Sequence, residues 1–216
     1  MKDIFKNNRS FLIPYLLFIC SGLVLIIANT KASTHLEFNS FHSRFFDVFF
    51  RYVTNLGNGY MVVLVGVILL TVSFRSLLIV ALSNIIAGAI TQLLKHTLFE
   101  NVVRPKKFFE GIHDLYLVPG VDNHLYNSFP SGHSTCAFSL YFALALLVKD
   151  KFLKFAFFLT ALLAGYSRVY LSQHFFEDVY VGSIIGVSVS GLVFYCLNKD
   201  HKTRLDNSLL TVFKKQ

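Results

Sequence analysis

Long uncharged apolar stretches, separated by short polar segments, dominate the pattern of this 216-residue chain. The first covers residues 11–28 and contains no charged side chain. A helix needs about 20 mostly apolar residues to cross the hydrocarbon core of a bilayer, within a range of about 17–25. Because this stretch is longer than a signal-peptide core and no clean cleavage site follows it, we interpret it as an uncleaved signal anchor.

The stretch over residues 60–94 is too long for one crossing. It has 35 residues and is interrupted only by Arg75. A single helix of that length would extend about 52 Å, against a hydrocarbon core of about 30 Å. We therefore predict that the chain folds back near residues 73–76 and crosses the membrane twice. Further spans are predicted at 132–148, 152–166 and 179–197, which makes six in total.

Composition agrees with a membrane protein and excludes two other classes. The chain is 54% hydrophobic and 15% charged, with a mean hydropathy of +0.57, whereas an average soluble domain carries about 25% charged residues. A disordered chain has few apolar residues, and a soluble enzyme needs more charge on its surface. We predict one all-α domain over residues 1–216, a polytopic membrane protein with six transmembrane helices and its site at one membrane face.

Residues 41–53 contain an amphipathic pattern outside the predicted spans. Two interpretations stay open, a helix lying in the plane of the membrane interface and an ordinary packed loop helix. The aromatic residues at helical spacing are Phe41, Phe45, Phe49 and Tyr52.

Positive charges predict the orientation of the chain. With a cytoplasmic N-terminus, 12 Lys and Arg residues flank the inner side and 8 the outer side, as expected when cytoplasmic loops are the more basic ones. Three of those 8 belong to the candidate site described next. We predict an inner-membrane protein with both termini in the cytoplasm and the site outside it. The net charge of +8 lies at helix ends, which favours lipid headgroups over nucleic acid as partners.

Polar residues cluster at four of the predicted helix ends. In six antiparallel spans, the ends of the third and fifth and the starts of the fourth and sixth share one membrane face. This topology gathers Lys95, Arg104, Ser131, Gly132, His133, Arg168, His174 and Asp178.

The residue types in this cluster suit phosphoryl transfer. Arginine offers forked donors that match phosphate oxygens, and Ser131-Gly132 opens a helix whose free N–H groups attract an anion. Two histidines allow one to attack phosphorus and the other to protonate the leaving oxygen. Asp178 follows His174 by four residues, so its carboxylate can meet the imidazole on one helical turn.

A metal site is the competing interpretation. His133, His174 and Asp178 are ligand types that zinc hydrolases use, but three neighbouring cations would repel a divalent metal and already supply the electrophile. We therefore expect no metal and no cofactor. The three cysteines lie apart in apolar runs without a CxxC pair, so we expect them to be small core residues.

Three motifs resemble the signature of the type-2 phosphatidic acid phosphatase family. They are Lys95…Arg104-Pro105, Pro130-Ser131-Gly132-His133 and Ser167-Arg168-x5-His174-x3-Asp178. The resemblance implies six spans and no metal, with His174 as the nucleophile that forms a phosphohistidine, Asp178 as its partner and His133 as the general acid. It also implies that phosphate is bound by Lys95, Arg104, Ser131, Gly132 and Arg168.

One spacing departs from that family. The usual first motif has six residues between Lys and Arg, whereas eight separate Lys95 from Arg104 here. Either the loop bulges by two residues or the phosphate contact of Lys95 is altered, with His96 as an alternative neighbour. Soluble vanadate-dependent haloperoxidases share these motifs, but a soluble oxidase has no use for six apolar spans.

A site at the bilayer surface, reached between helices, suits a phosphate carried by a lipid. Undecaprenyl pyrophosphate, phosphatidylglycerol phosphate, phosphatidic acid and a phosphate on lipid A are the substrates considered. Lys106 and Lys107 begin the predicted long outer loop, residues 106–129, and they either contact a second phosphate or are solvated or lipid-facing. The alternative function is a lipid-phosphate-binding or transport protein without turnover, but such a protein needs neither His133 nor His174.

The sixth predicted span contains a Gly182-x3-Gly186 pair. Small residues at this spacing allow close helix packing, either within the chain or across a dimer. We expect packing within the chain, and the oligomeric state is left open.

Overall fold

The computed structural model describes residues 2–198 and 204–213, and every regular element in those ranges is helical. Two short 3-10 helices, Thr54–Gly57 and Arg204–Asp206, accompany the α-helices. The α-helices are α1 (Lys2–Asn7), α2 (Arg9–Ala28), α3 (Lys31–Ser40), α4 (Arg44–Val53), α5 (Gly59–Leu70), α6 (Phe74–Thr97), α7 (Pro105–Phe108), α8 (Gly132–Leu147), α9 (Lys151–Tyr170), α10 (Phe176–Leu197) and α11 (Leu209–Phe213).

The predicted all-α membrane fold is confirmed, whereas the number of spans is not. Four helices, α2, α6, α9 and α10, are long and apolar enough to cross a membrane. Helix α5 has only 12 residues, and the segment before it is bent from it by 55°, so the pair forms one broken span or a re-entrant loop. Helix α8 has 16 residues. Six crossings therefore stay a prediction.

Helix α8 lies at the centre of the molecule, which explains how a short helix suffices there. It packs against α6, α9 and α10, and eleven of its residues are buried. Its surroundings are therefore mostly protein side chains rather than lipid. Its polar side chains find partners within the bundle, as in the 3.0 Å contact between the Ser139 and Ser190 hydroxyls.

The glycine pair of α10 permits the closest helix contact of this core. A Cβ on Gly182 would lie 2.7 Å from the Ser131 carbonyl oxygen, and one on Gly186 would lie 2.6 Å from the Thr135 carbonyl oxygen. Both distances are shorter than a real Cβ contact allows. The two glycines thus pack α10 against α8 within the chain, as expected.

Helix α4 has one exposed aromatic face and one packed face. Phe45 and Tyr52 are about 70% exposed, whereas Phe50 and Asp47 are buried. The Asp47 carboxylate accepts hydrogen bonds from the hydroxyls of Tyr116 and Tyr170, at 2.6 and 2.7 Å. The helix is therefore attached by its inner face to the end of α9, and the predicted aromatic stripe points mostly outward.

The expectation that the cysteines are core residues is wrong for two of them. Cys20 and Cys196 are exposed, Cys136 is partly exposed, and all three are free thiols. In a bundle surrounded by lipid, the outer helix faces are apolar too, so a small apolar side chain does not have to lie inside.

Replacing Gly186 by Ala tests the α8–α10 contact. The new methyl group overlaps the Thr135 carbonyl, and overpacking of this kind costs about 1–3 kcal/mol. We expect a lower unfolding temperature for Gly186→Ala in detergent. Gly88→Ala is the control, because a Cβ there meets nothing within 4 Å and Ala favours helix. Unfolding of both variants at one temperature would contradict this packing.

Candidate active site

The helix ends bring the predicted site residues together at one end of the bundle. Lys95 lies in the last turn of α6, Arg104 caps α7, and Arg168 lies in the last turn of α9. The electrostatic neighbours of His174 are Arg104, Arg168, Lys95 and His133. The model thus places three cations and two imidazoles around one small volume.

His174 and Asp178 form a buried pair at the start of α10. The imidazole Nδ1 lies 3.1 Å from Asp178 Oδ2, and only 2% of His174 and 3% of Asp178 are exposed. Because a carboxylate oxygen only accepts, Nδ1 carries the proton and Nε2 carries the free lone pair. Burial lowers the pKa of His174 well below its ordinary value, and the nearby cations lower it further. The imidazole is therefore neutral at pH 7.

Asp178 has further donors that fix its carboxylate. Its Oδ2 accepts from the Ser128 hydroxyl at 2.5 Å and from the Phe175 backbone N–H at 3.0 Å. Its own carbonyl oxygen accepts from the Ser131 N–H at 2.9 Å. One residue thus orients the imidazole and connects the start of α10 to the start of α8.

The start of α8 offers the helix N-terminus that the sequence predicts. Ser131 is fully buried, and its hydroxyl caps the helix by accepting from the Ser134 N–H at 3.4 Å. A Cβ placed on Gly132 would meet nothing within 4 Å, so the backbone there borders open space. His133 is only partly buried and lines a groove described below.

The three cations differ in how they are held. Arg168 donates from Nη1 to the Thr54 hydroxyl at 2.7 Å, and its buried Nε has no partner within the described residues. Lys95 is buried with Arg104, Arg168 and Asp178 as electrostatic neighbours. The contact with Thr54 therefore orients the Arg168 guanidinium and leaves its Nε–H available to a ligand.

Arg104 is bound mainly to the protein itself. Its guanidinium donates to the carbonyl oxygens of Tyr126, Gln173 and Asn127 at 2.8, 3.1 and 3.3 Å. Burial lowers the pKa of Arg104, and Asp178 partly offsets that effect. Three of its five N–H groups therefore join the outer loop to the turn before His174, which leaves two for a ligand.

The longer spacing between Lys95 and Arg104 is accommodated by a turn. Helix α6 ends at Thr97, and the following segment reverses direction with Asn101 in the left-handed region, at φ 64°. Asparagine tolerates that conformation better than most residues do. Lys95 and Arg104 are both buried on the two sides of this turn, and His96 is exposed.

Several partners in this site escaped the sequence analysis. The Arg104 contacts are backbone carbonyls, which have no sequence signal, and Thr54 and Ser128 lie outside the motifs. Lys107 is partly exposed and binds the Glu110 carboxylate. In the ranges that the structure describes, no three His, Cys, Asp or Glu side chains are placed to share a metal ion.

An apolar groove leads from the site along the bundle. It encloses about 670 Å³ between α5, α6 and α8. One end lies at Asn58, Gly132 and His133, and the other at Leu70 and Leu77. The groove therefore runs from the polar end of the bundle, at His133, to an apolar end at Leu70 and Leu77.

Comparisons with known proteins agree with this geometry. The model of the PAP2 superfamily matches residues 76–202. The crystal structure of LpxE from Aquifex aeolicus is similar, with a TM-score of 0.67 and 27% identity over 74% of this chain and 92% of that one. A transmembrane PAP2-type phosphatidylglycerolphosphate phosphatase from Bacillus subtilis has a TM-score of 0.66 and 22% identity, over 92% and 99% of the two chains. A comparison with curated proteins found no match.

The fold and site define a helical membrane protein with a buried cluster of cations and imidazoles at one end of the bundle. The family match covers more than half of the chain, so the chain belongs to the PAP2 superfamily, the family that its three motifs predict. It is an enzyme of the lipid phosphatase class.

Removing the Thr54 hydroxyl tests how Arg168 is oriented. Thr54→Val keeps the shape of the side chain but removes the acceptor for Nη1, so we expect kcat/KM for phosphate release to fall about tenfold, or about 1.4 kcal/mol. Thr71→Val is the matched control, since its exposed hydroxyl bonds only to Ile68 of its own helix. Equal activity of the two variants would remove Thr54 from the site.

Proposed function

We propose that this protein hydrolyses a phosphate monoester or pyrophosphate on a membrane lipid, without a metal, through a phosphohistidine on His174. The observation that carries the proposal is the buried His174–Asp178 pair, whose neutral imidazole faces Lys95, Arg104 and Arg168. A neutral imidazole beside three cations suits attack on a phosphate whose negative charge those cations hold.

In the first step, His174 Nε2 attacks phosphorus and the bond from phosphorus to the lipid oxygen breaks. His133 donates a proton to that leaving oxygen as general acid. The Nδ1 proton stays on the imidazole, where Asp178 stabilises the positive charge that develops. Charge on the phosphoryl oxygens is stabilised by Arg168, Lys95 and the remaining N–H groups of Arg104.

In the second step, water attacks the phosphohistidine. His133, now the base, takes a proton from that water, the bond from Nε2 to phosphorus breaks, and inorganic phosphate leaves. At the start of α8 the Ser131 hydroxyl and the Gly132 N–H donate to the phosphoryl oxygens in both steps, because the Ser131 N–H already bonds to the Asp178 carbonyl. His174 returns to its neutral form, so the cycle needs no other reactant than water.

The groove supports a lipid as the carrier of the phosphate. It is lined mainly by apolar side chains of α5 and α6 and begins beside His133. A hydrocarbon chain in the groove would place its phosphorylated end at the cations. Each substrate considered from the sequence combines hydrocarbon chains with a phosphorylated end. These substrates are undecaprenyl pyrophosphate, phosphatidylglycerol phosphate, phosphatidic acid and phosphorylated lipid A.

We further propose that the site faces outside the cytoplasm of an inner-membrane protein, with both termini inside. The charge asymmetry of the sequence supports this orientation. At the opposite end of the bundle, Arg75 binds Asp206, and Lys154 binds the carbonyl oxygen of Asn7 at 2.7 Å. Lys199, Lys202, Lys214 and Lys215, which also contribute to the asymmetry, lie outside the described residues.

Trapping the phosphoenzyme tests the mechanism. We expect the purified protein to release phosphate from at least one of these lipids in the presence of a chelator, and to carry acid-labile phosphate after rapid quenching. His174→Ala should lose both properties by at least a thousandfold, because no nucleophile remains. The exposed His96 provides the control, since His96→Ala should behave as wild type. Full turnover by His174→Ala would defeat the nucleophile assignment.

The pH profile tests whether Lys95 belongs to the site. Its charge helps to lower the pKa of His174, so removing it in Lys95→Met raises that pKa. The acid limb of kcat/KM, where His174 becomes protonated, should then move to higher pH by about one unit or less. Lys107→Met is the control, because that exposed ammonium pairs with Glu110. An unmoved limb in Lys95→Met would place Lys95 outside the site.

A further inference from the structure

The backbone carbonyl group of Arg168 stabilises the turn that carries His174 by accepting two hydrogen bonds. The backbone N–H groups of Gln173 and His174 both donate to the Arg168 carbonyl oxygen, at 3.0 and 3.1 Å. Ser172, one residue earlier, is fully buried and adopts φ 53°, in the left-handed region that L side chains disfavour. A turn with such a residue persists only when its surroundings fix it.

Helix α3 supplies contacts on the outer side of this turn. The Asn39 side-chain amide donates to the Ser172 hydroxyl oxygen at 3.1 Å, and His35 Nε2 lies 3.3 Å from the same oxygen. His35 is 1% exposed, and burial lowers its pKa to about 4, so the ring is neutral at pH 7. Ser172 is thus joined to two side chains of a helix that contributes nothing to the sequence motifs.

Asn39 also holds the long outer loop. Its Oδ1 accepts from the Tyr116 N–H at 2.9 Å, and its Nδ2 donates to the Tyr116 carbonyl oxygen at 2.8 Å. The side-chain amide therefore pairs with a backbone peptide group in both directions while it bonds to Ser172. One side chain connects α3, the outer loop and the turn before His174.

From these contacts we propose that Asn39 is a positioning residue of the phosphatase reaction. It acts through Ser172 on the turn that places His174 Nε2, and it touches neither the phosphate nor the cations. This inference rests on the proposed role of His174 as nucleophile. In-line attack tolerates little displacement of the attacking nitrogen, so loss of the contact should slow catalysis and leave phosphate binding in place.

Two variants separate the contact from backbone strain. Asn39→Ala removes both the oxygen and the nitrogen of the side-chain amide. Ser172→Gly removes only the hydroxyl, and glycine suits the left-handed backbone. Ser172→Gly should therefore fold even where Asn39→Ala does not. We expect each to lower kcat about tenfold with KM within twofold of wild type. Both variants lose the Asn39–Ser172 contact, while Ser172→Gly also loses the His35 contact, so the loss of kcat in the double variant should be smaller than the product of the two single losses. Asn29→Ala is the control, since that exposed amide bonds only to Leu25 of its own helix.

Inhibition provides a readout that a merely structural role would not change. Vanadate forms a five-coordinate adduct that includes the nucleophile nitrogen, whereas phosphate binds only to the cations. In both variants the Ki for vanadate should rise about tenfold and the Ki for phosphate should not change.

Three outcomes would overturn the inference. They are wild-type kcat in Ser172→Gly, an equal rise of both inhibition constants, and a loss confined to KM. Failure of the proposed function is distinct, because the wild-type protein itself would then form no phosphoenzyme.

Discussion

One carboxylate oxygen organises the active end of this protein. Asp178 Oδ2 receives hydrogen bonds from Ser128, from the Phe175 N–H and from His174. The backbone carbonyl of Asp178 receives the Ser131 N–H. Orientation of the imidazole and placement of the α8 N-terminus therefore depend on the same residue, so neither can shift alone. Gly182, four residues further along α10, permits the close approach of the two helices that this arrangement needs.

The burial of three cations is the main electrostatic cost of the site. Lys95, Arg104 and Arg168 are each less than 10% exposed, and buried charges are costly unless they are paired. The protein compensates them only in part, with carbonyl oxygens for Arg104 and a hydroxyl for Arg168. Donors fixed in advance, in a place shielded from water, stabilise a phosphoryl transition state strongly because they need no reorganisation. The proposed phosphate substrate would supply the negative charge that these three cations lack.

The sequence predicts the parts of this protein whose signals are local. Helix positions follow from apolar stretches, and the start of α8 was predicted at the residue where it begins. The convergence of the motifs follows from antiparallel connectivity. Whether α5 and α8 cross the membrane was not predictable, because hydropathy does not distinguish a helix in lipid from one covered by protein.

Contacts between distant segments were beyond the reach of sequence analysis. Arg104 links the outer loop to the turn before His174 through backbone carbonyl groups. Every residue has such a group, so the sequence gives no signal for these contacts. Asn39 lies 133 positions from its partner Ser172, in a helix without a recognisable motif. The left-handed conformation of Ser172 is equally hidden, since serine has no special preference for it.

Helix α4 links the outer loop to the end of α9. Asp47 of α4 accepts from Tyr116 of the outer loop and from Tyr170 of α9. Tyr170 follows Arg168 by two residues, and the opposite face of α4 exposes aromatic rings. An amphipathic helix of this kind binds at the boundary of headgroups and acyl chains. Its attachment to α9 through Tyr170 therefore fixes how deep Arg168 lies relative to that helix.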